Sequence, residues 1–550
     1  MEHPSAAAVI AQALGEMPEG LSTGGVKCGT SLLGEASLRW GELPVASRRA
    51  VESVLQRQSL QKSRLSSQAH FRVHYDTTGF RQPALLLNNT TRIPDTHEAY
   101  VDSVLGILEQ VWSEEVSVLG YSAPPPDGVK GGGPEYDVYI IPQQSGLFGA
   151  TYWEPDDVVS SSPTERYATY IEIDNDYAGY RTPGMDGLRV TAAHEFFHAI
   201  QVGSSGVWRT ETKSDFYFYE LASTWMEDVV YDEVNDYLFE VRDYLTAAGG
   251  RGFRDLQGRA YPFTTYGVPT TYYGYERCLF AHFLEAKFGR PLMRDIWRAM
   301  AAEPFLRAIT SELEKRGTNL EREYAWFSFW NYYTADRADT VQYYPEGNLY
   351  PRLDPHVRML YNGYFSTIST SGAPLSDQHF EFVTLGDTIH AIVANVDAVG
   401  ASMSNPGFAS LALTASTTPQ GGVRQTLANG AEMSLAVERQ EDWRALYVLT
   451  STGTDARNSG TPSPNPLSLG VNAVLTIPIE GTPSATASVW LLSSSLDLVY
   501  SCELPVVQQF GRNVATLSSS ELRSSVSSGI HFLVVRTGGN EFTWKIAIIQ

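Results

Sequence analysis

Apolar and polar positions change rhythm several times along the chain. Up to about residue 66, short helical patterns such as ASRRAVESVLQRQSL (46–60) stand between glycine-rich breaks, which predicts a helical, prosegment-like lead-in. HFRVHYD (70–76) alternates apolar and polar residues and runs into the turn signal TTG, so it reads as a strand. In HEAYVDSVLGILEQVWSEEV (97–116), Tyr100, Val104, Ile107, Leu108 and Val111 recur at helical intervals. After the loop APPPDGVKGGGP (123–134), YDVYII (136–141) and YATYIEID (167–174) read as strands, and a helix containing 191–202 follows. Residues 211 to about 335 are helical in pattern. Beyond 350, FEFVTL, TIHAIVANV, MSLAVE and RALYVLT are short, alternating and set apart by Gly, Ser, Thr and Asn, the pattern of β-sandwiches. TGTDARNSGTPSPNP (452–466) reads as a linker. The expected organisation is a lead-in (1–66), an α+β domain (67–345) and two β-sandwich domains (353–452 and 466–550).

At 550 residues the chain exceeds what one core supports. Sixty-two acidic residues against 40 basic ones give a net charge of −22, which repels phosphate backbones and argues against a nucleic-acid partner. No apolar run reaches the roughly 18 residues of a membrane span. The N-terminus, MEHPSAAAVIAQALGE, has no basic residue ahead of its apolar stretch and does not read as a signal peptide. Three widely spaced cysteines, Cys28, Cys278 and Cys502, exclude a disulfide framework or a Cys-rich zinc module.

TAAHEFFHAIQ (191–201) contains HExxH. On a helix, i and i+4 share a face, so His194 and His198 can present two imidazoles to one zinc ion. Glu195 then lies beside the open coordination position, where a general base for a zinc-activated water belongs. Catalytic zinc takes three protein ligands. Glu220, in YELASTWMED twenty-two residues after His198, is the expected third; Glu227 is the rival, either as ligand or as a carboxylate fixing a histidine tautomer.

FRVHYDTTG, YDVYII, GLFGAT (146–151), TAAHEFFHAIQ and ELASTWMEDVVYDEVNDY occur here in order. Together they resemble a family of bacterial secreted metallopeptidases, distant relatives of the gluzincins, and CGTSLL…WGEL resembles the region upstream of that family's catalytic domain. The resemblance covers roughly residues 25–340. It implies a zincin-like catalytic domain, His194, His198 and Glu220 as zinc ligands, Glu195 as base, and peptide substrates. Relatives usually have glycine after the third-ligand glutamate, where Leu221 stands here, and this bears on substrate range. Gluzincins usually supply an oxyanion donor as a Tyr or His from a later helix; TTYYGYERCLFAHFLEAKFG (270–289) offers Tyr272, Tyr273, Tyr275 and His282, with Tyr273 first and Tyr275 second. TASVWLLSSSLDLVYS…KIAIIQ (486–550) resembles sorting domains of the bacterial type IX secretion route. That implies an extracellular or cell-surface protein and secretion machinery as a partner; a generic Ig-like module is the alternative.

Two acidic clusters are candidate Ca²⁺ sites, Asp174–Asn175–Asp176 and Asp228, Asp232, Asn235, Asp236, although neither matches the twelve-residue calcium loop. Cys28 is either a prosegment thiolate able to fill zinc's fourth position, with latency as the result, or an ordinary buried cysteine. The expected function is a secreted zinc metalloendopeptidase. The alternatives are an inactive extracellular binding protein on a peptidase fold, or a zinc hydrolase acting on a non-peptide bond.

Overall fold

The computed structural model describes residues 27–207, 216–245, 274–353 and 467–549, short gaps apart, with Ile10, 261–262 and the backbone of the strands between 357 and 451. The chain divides into two compact units, Met1–Gly453 and Thr454–Gln550.

The first unit is built on a five-stranded sheet. Its strands are β1 (Lys62–Leu65), β2 (Phe71–Tyr75), β3 (Tyr136–Ile140), β4 (Gly149–Tyr152) and β5 (Tyr170–Ile173). Their spatial order is β1-β2-β3-β5-β4, with β2, β3 and β5 parallel and β4 antiparallel at one edge. The central strands are buried along nearly their whole length. On one face Phe71 meets Trp112 of α3 (His97–Trp112) and Phe196 of α4 (Gly184–Ile200) edge-on, and on the other His74 stacks on Tyr139 and pairs with the Asp137 Oδ1 at 2.8 Å. In α3 the apolar face is Tyr100, Val101, Val104, Leu105, Leu108 and Val111; Ile107 lies only at its border.

Two short helices precede the sheet, α1 (Thr30–Leu38) and α2 (Val45–Val54). After α4 come α5 (Phe216–Val230), α6 (Leu238–Leu245), α7 (Cys278–Phe288), α8 (Pro291–Met300), α9 (Phe305–Glu314) and α10 (Leu320–Trp330). α4 is buried on all sides from Leu188 to Ile200 except at Arg189, so it is a central helix rather than an amphipathic surface one. α5 crosses it, buried from Phe216 to Glu227.

The strands between 357 and 451 belong to this same unit, and the His379 Nε2 meets the Ser328 carbonyl of α10 at 2.7 Å. The second unit has a five-stranded and a three-stranded sheet sharing one core, in which Leu475, Ile477, Val489, Leu491, Leu517, Leu533, Val535 and Ile546 are packed together. Its strands alternate buried and half-exposed positions, as at Val474–Ile479. Among the described residues, no helix is long and apolar enough to cross a membrane.

Candidate metal centre

α4 carries His194, Glu195 and His198, and α5 carries Glu220 and Glu227. The helical repeat puts the two imidazoles one turn apart, with ring centroids 4.7 Å from each other. Their Nε2 atoms lie 3.1 Å apart, and the Glu220 Oε2 lies 3.1 Å from the first and 3.2 Å from the second. Four-coordinate zinc with N and O ligands at 2.0–2.1 Å would separate its ligand atoms by about 3.3 Å.

The outer nitrogens explain which atoms face inward. The His194 Nδ1 pairs with the Glu227 Oε1 at 2.7 Å. The His198 Nδ1 pairs with the Gln201 Oε1 at 2.7 Å, while the amide nitrogen of Gln201 donates to the Tyr219 carbonyl. A carboxylate and an amide oxygen only accept, so both Nδ1 atoms carry the proton and both Nε2 atoms are left as bases. With neutral rings, two imidazole lone pairs and a carboxylate oxygen would thus converge with no donor among them; in the metal-free protein a second proton on His194 relieves this, and a bound cation would take that proton's place. The donor set fits zinc.

A fourth group joins them. The Cys28 Sγ lies with His194, His198 and Glu220 in one cluster whose ligand atoms are all within 4.8 Å of one another. Cys28 precedes α1, and the Thr30 backbone N–H points at its sulfur at 3.3 Å. Burial, with Glu195 and Glu220 nearby, pushes the thiol well up in the metal-free protein; a bound cation would oppose both effects.

The Glu195 carboxylate sits against this cluster. Its Oε2 accepts from the Thr151 hydroxyl at 2.9 Å and the Thr30 hydroxyl at 3.2 Å, and the Cys28 Sγ lies 3.4 Å away. Gly149 makes the approach of β4 possible: a Cβ there would stand 2.7 Å from the Thr191 methyl and 3.2 Å from the Glu195 Cγ. The Tyr275 hydroxyl accepts from the Cys28 N–H at 3.1 Å, and its ring lies 6.0 Å from that of His194. Tyr272 and Tyr273 fall outside the described residues. His282 lies elsewhere, stacked on Tyr237, and burial pushes it down to about 4. Leu221 is wholly buried.

Several partners carry no motif and escape sequence reading. Lys27 is buried and reaches both Glu227 oxygens and the Asp236 Oδ2 at 2.6 Å, and Arg181 joins from Asp236. Burial would lower the Lys27 pKa, but Asp236 and Glu227 raise it overall, so the ammonium stays charged. Ser31 donates to the Glu220 Oε1, and Ser223 stands 3.2 Å from the His198 Nδ1. Polar residues flanking CGTS and TWMED were the available signal.

The two expected calcium clusters have protein partners. Asp174 accepts three backbone N–H groups, from Gln143, Asp176 and Tyr177, and Asp236 faces Lys27, Arg181 and Thr182. Among the described residues, the second group with metal-ligand spacing is Glu154, Asp156 and Asp157, where Lys130 already bridges Glu154 and Asp157.

No family model matches the chain. No curated protein matches it either. Among solved structures, β-glucuronidase from Ruminococcus gnavus in complex with N1-substituted uronic isofagomine matches at a TM-score of 0.11 and 11% identity, over 32% of this chain and 36% of that one. The crystal structure of the Ruminococcus gnavus enzyme given without a ligand matches at 0.13 and 11%, over 32% and 35%. The match thus spans about a third of those glucuronidase chains, and TM-scores this low speak for neither fold nor activity.

Proposed function

We propose that this chain is a zinc-dependent metalloendopeptidase with an α+β, zincin-like catalytic domain. The supporting observation is the convergence of the His194 and His198 Nε2 atoms and the Glu220 carboxylate within 3.2 Å of one another, with Glu195 beside them. Those three residues would hold the zinc, which when bound polarises a carbonyl and lowers the pKa of water. Glu195 would take a proton at its Oε2, where Thr151 keeps the carboxylate oriented, and pass it to the leaving amine. Tyr275, whose ring lies 6.0 Å from that of His194, offers a hydroxyl at the cluster. Peptide substrates fit because β4 is the edge strand of its sheet, the place where an extended chain adds by β-addition and where Cys28 already pairs with Gly149. Secretion, and a sorting-domain role for the Ig-like C-terminal unit, belong to the same reading and are supported by sequence resemblance.

One observation favours a second reading. His194, Glu195, His198 and Glu220 are each at most 1% exposed, and Cys28 supplies a fourth donor. A closed four-ligand centre is the form of a structural zinc site in a non-catalytic binding protein. Glu195 argues against it, since a structural site has no use for a carboxylate at that place.

The deciding experiment is zinc analysis together with casein hydrolysis, with and without a chelator, before and after the Cys28 segment is removed. The peptidase reading expects one zinc per chain and chelator-sensitive cleavage abolished in Glu195→Gln. One zinc per chain and no hydrolysis in any form would reject it in favour of the structural centre.

A further inference from the structure

We propose that Lys27–Leu38 is a latch: a stretch of the chain seated in its own substrate cleft, with the Cys28 sulfur in the position that water and a substrate carbonyl must share. This rests on the peptidase reading and adds its regulation.

The segment lies where a bound peptide would. Cys28 bridges Gly149 of the edge strand in parallel register, with the Gly29 N–H on the Gly149 carbonyl at 3.2 Å and the Phe148 N–H on the Lys27 carbonyl at 2.8 Å. The latch also engages each group that catalysis would use. Thr30 donates to Glu195 and accepts from the Thr151 N–H at 2.8 Å; Cys28 holds the Tyr275 hydroxyl; Ser31 holds Glu220; Lys27 holds Glu227 behind His194. What surrounds the Glu195 carboxylate is two hydroxyls and a sulfur. Bound like a peptide, the segment therefore offers side chains at the base. Its small residues are a condition of this fit: a Cβ on Gly29 would stand 2.8 Å from the Tyr152 hydroxyl, and one on Gly34 would enter the Phe216 ring.

The way out is also built in. Between latch and catalytic unit, Gly41, Pro44, Val45, Ala46, Arg49 and Ala50 are exposed. Past them the chain is anchored again, with the Tyr170 hydroxyl on the Leu55 carbonyl and Arg57 on Asp127 and Asp137. Hydrolysis of one peptide bond in 41–50 by a second protease, with water's hydroxyl going to the acyl carbon and its hydrogen to the amine, would separate the latch from the rest. The thiolate would then leave with the released fragment.

Cobalt substitution tests the contact without relying on turnover. The full chain, stripped and reloaded with Co²⁺, should show a sulfur-to-cobalt charge-transfer band in the near ultraviolet. That band should be absent from Cys28→Ser and retained in Cys502→Ser. Casein hydrolysis by the zinc form should rise about tenfold or more in Cys28→Ser. The same rise is expected in Gly34→Leu, which keeps the thiol but displaces α1, and in wild type after limited trypsin at Arg48 or Arg49 and removal of the fragment. No sulfur band in the full chain, or full activity with the latch intact and bound, would overturn the latch while leaving the peptidase reading standing. A sulfur band with no hydrolysis in any variant or in the cleaved chain would overturn both.

Discussion

The arrangement of His194 and His198 owes as much to their neighbours as to HExxH. Each imidazole is turned by a partner on its far side, Glu227 for one and Gln201 for the other. Removing such a partner leaves the ligand in place but frees its tautomer and orientation. Glu227→Gln and Gln201→Leu are therefore each expected to weaken zinc binding about 10- to 100-fold in a competition titration with a chromophoric chelator. Unchanged affinity in both would mean that neither orients its histidine. Glu220→Gln should lower bound zinc sharply.

The same residues set a pH dependence in metal-stripped protein. Burial acts to lower the His194 pKa, but the bonds to Glu220 and Glu227 outweigh it and hold it up at about 9. Burial acts to raise Glu220, yet His198 and His194 bring it down to about 2. A raised histidine contributes stability fully below its ordinary 6.5 and loses it as pH climbs through about 9. A lowered carboxylate contributes above its ordinary 4.5 and loses it as pH falls toward about 2. The melting temperature of stripped protein should thus decline from pH 6.5 to 9, and that of zinc-loaded protein should not share this decline. A stripped protein whose melting temperature is flat over that range would refute the coupling.

At the scale of elements, the centre depends on how closely β4 lies against α4. Gly149 sets that distance, and Gly149→Val would drive a branched side chain into Thr191 and Glu195. Overpacking of this kind costs about 1–3 kcal/mol, readable as a lower urea midpoint at unchanged slope. Most elements around the site were legible in the sequence: HFRVHYD, YDVYII and TAAHEFFHAIQ each fall on a strand or helix of the structure. In 70–76, periodicity along the strand carries no information about what packs on its second face: α3 and α4 cover the Phe71 side of β2, while on the other side His74 is buried against Tyr139 and Asp137.

At the scale of the molecule, the boundary between compact units at Gly453 falls inside the Ser/Gly/Pro-rich stretch 452–466. The second unit has its own core, and the four residues of the candidate metal cluster all lie in the first. Calorimetry should resolve two transitions, with a chelator lowering only that of the first unit. A chelator shift in both would show that they unfold together.

By itself the sequence determined the HExxH face, the carboxylates available on the next helix and the overall order of helical and strand-rich regions, because each is written in spacing within a single element. Only the tertiary structure decided that Glu220 faces both imidazoles while Glu227 stands behind one, and that Cys28 joins them across 166 residues or more. Local spacing fixes which side chains share a face; which faces meet is set by the packing of β4, α4, α5 and the Lys27–Leu38 segment around a single point.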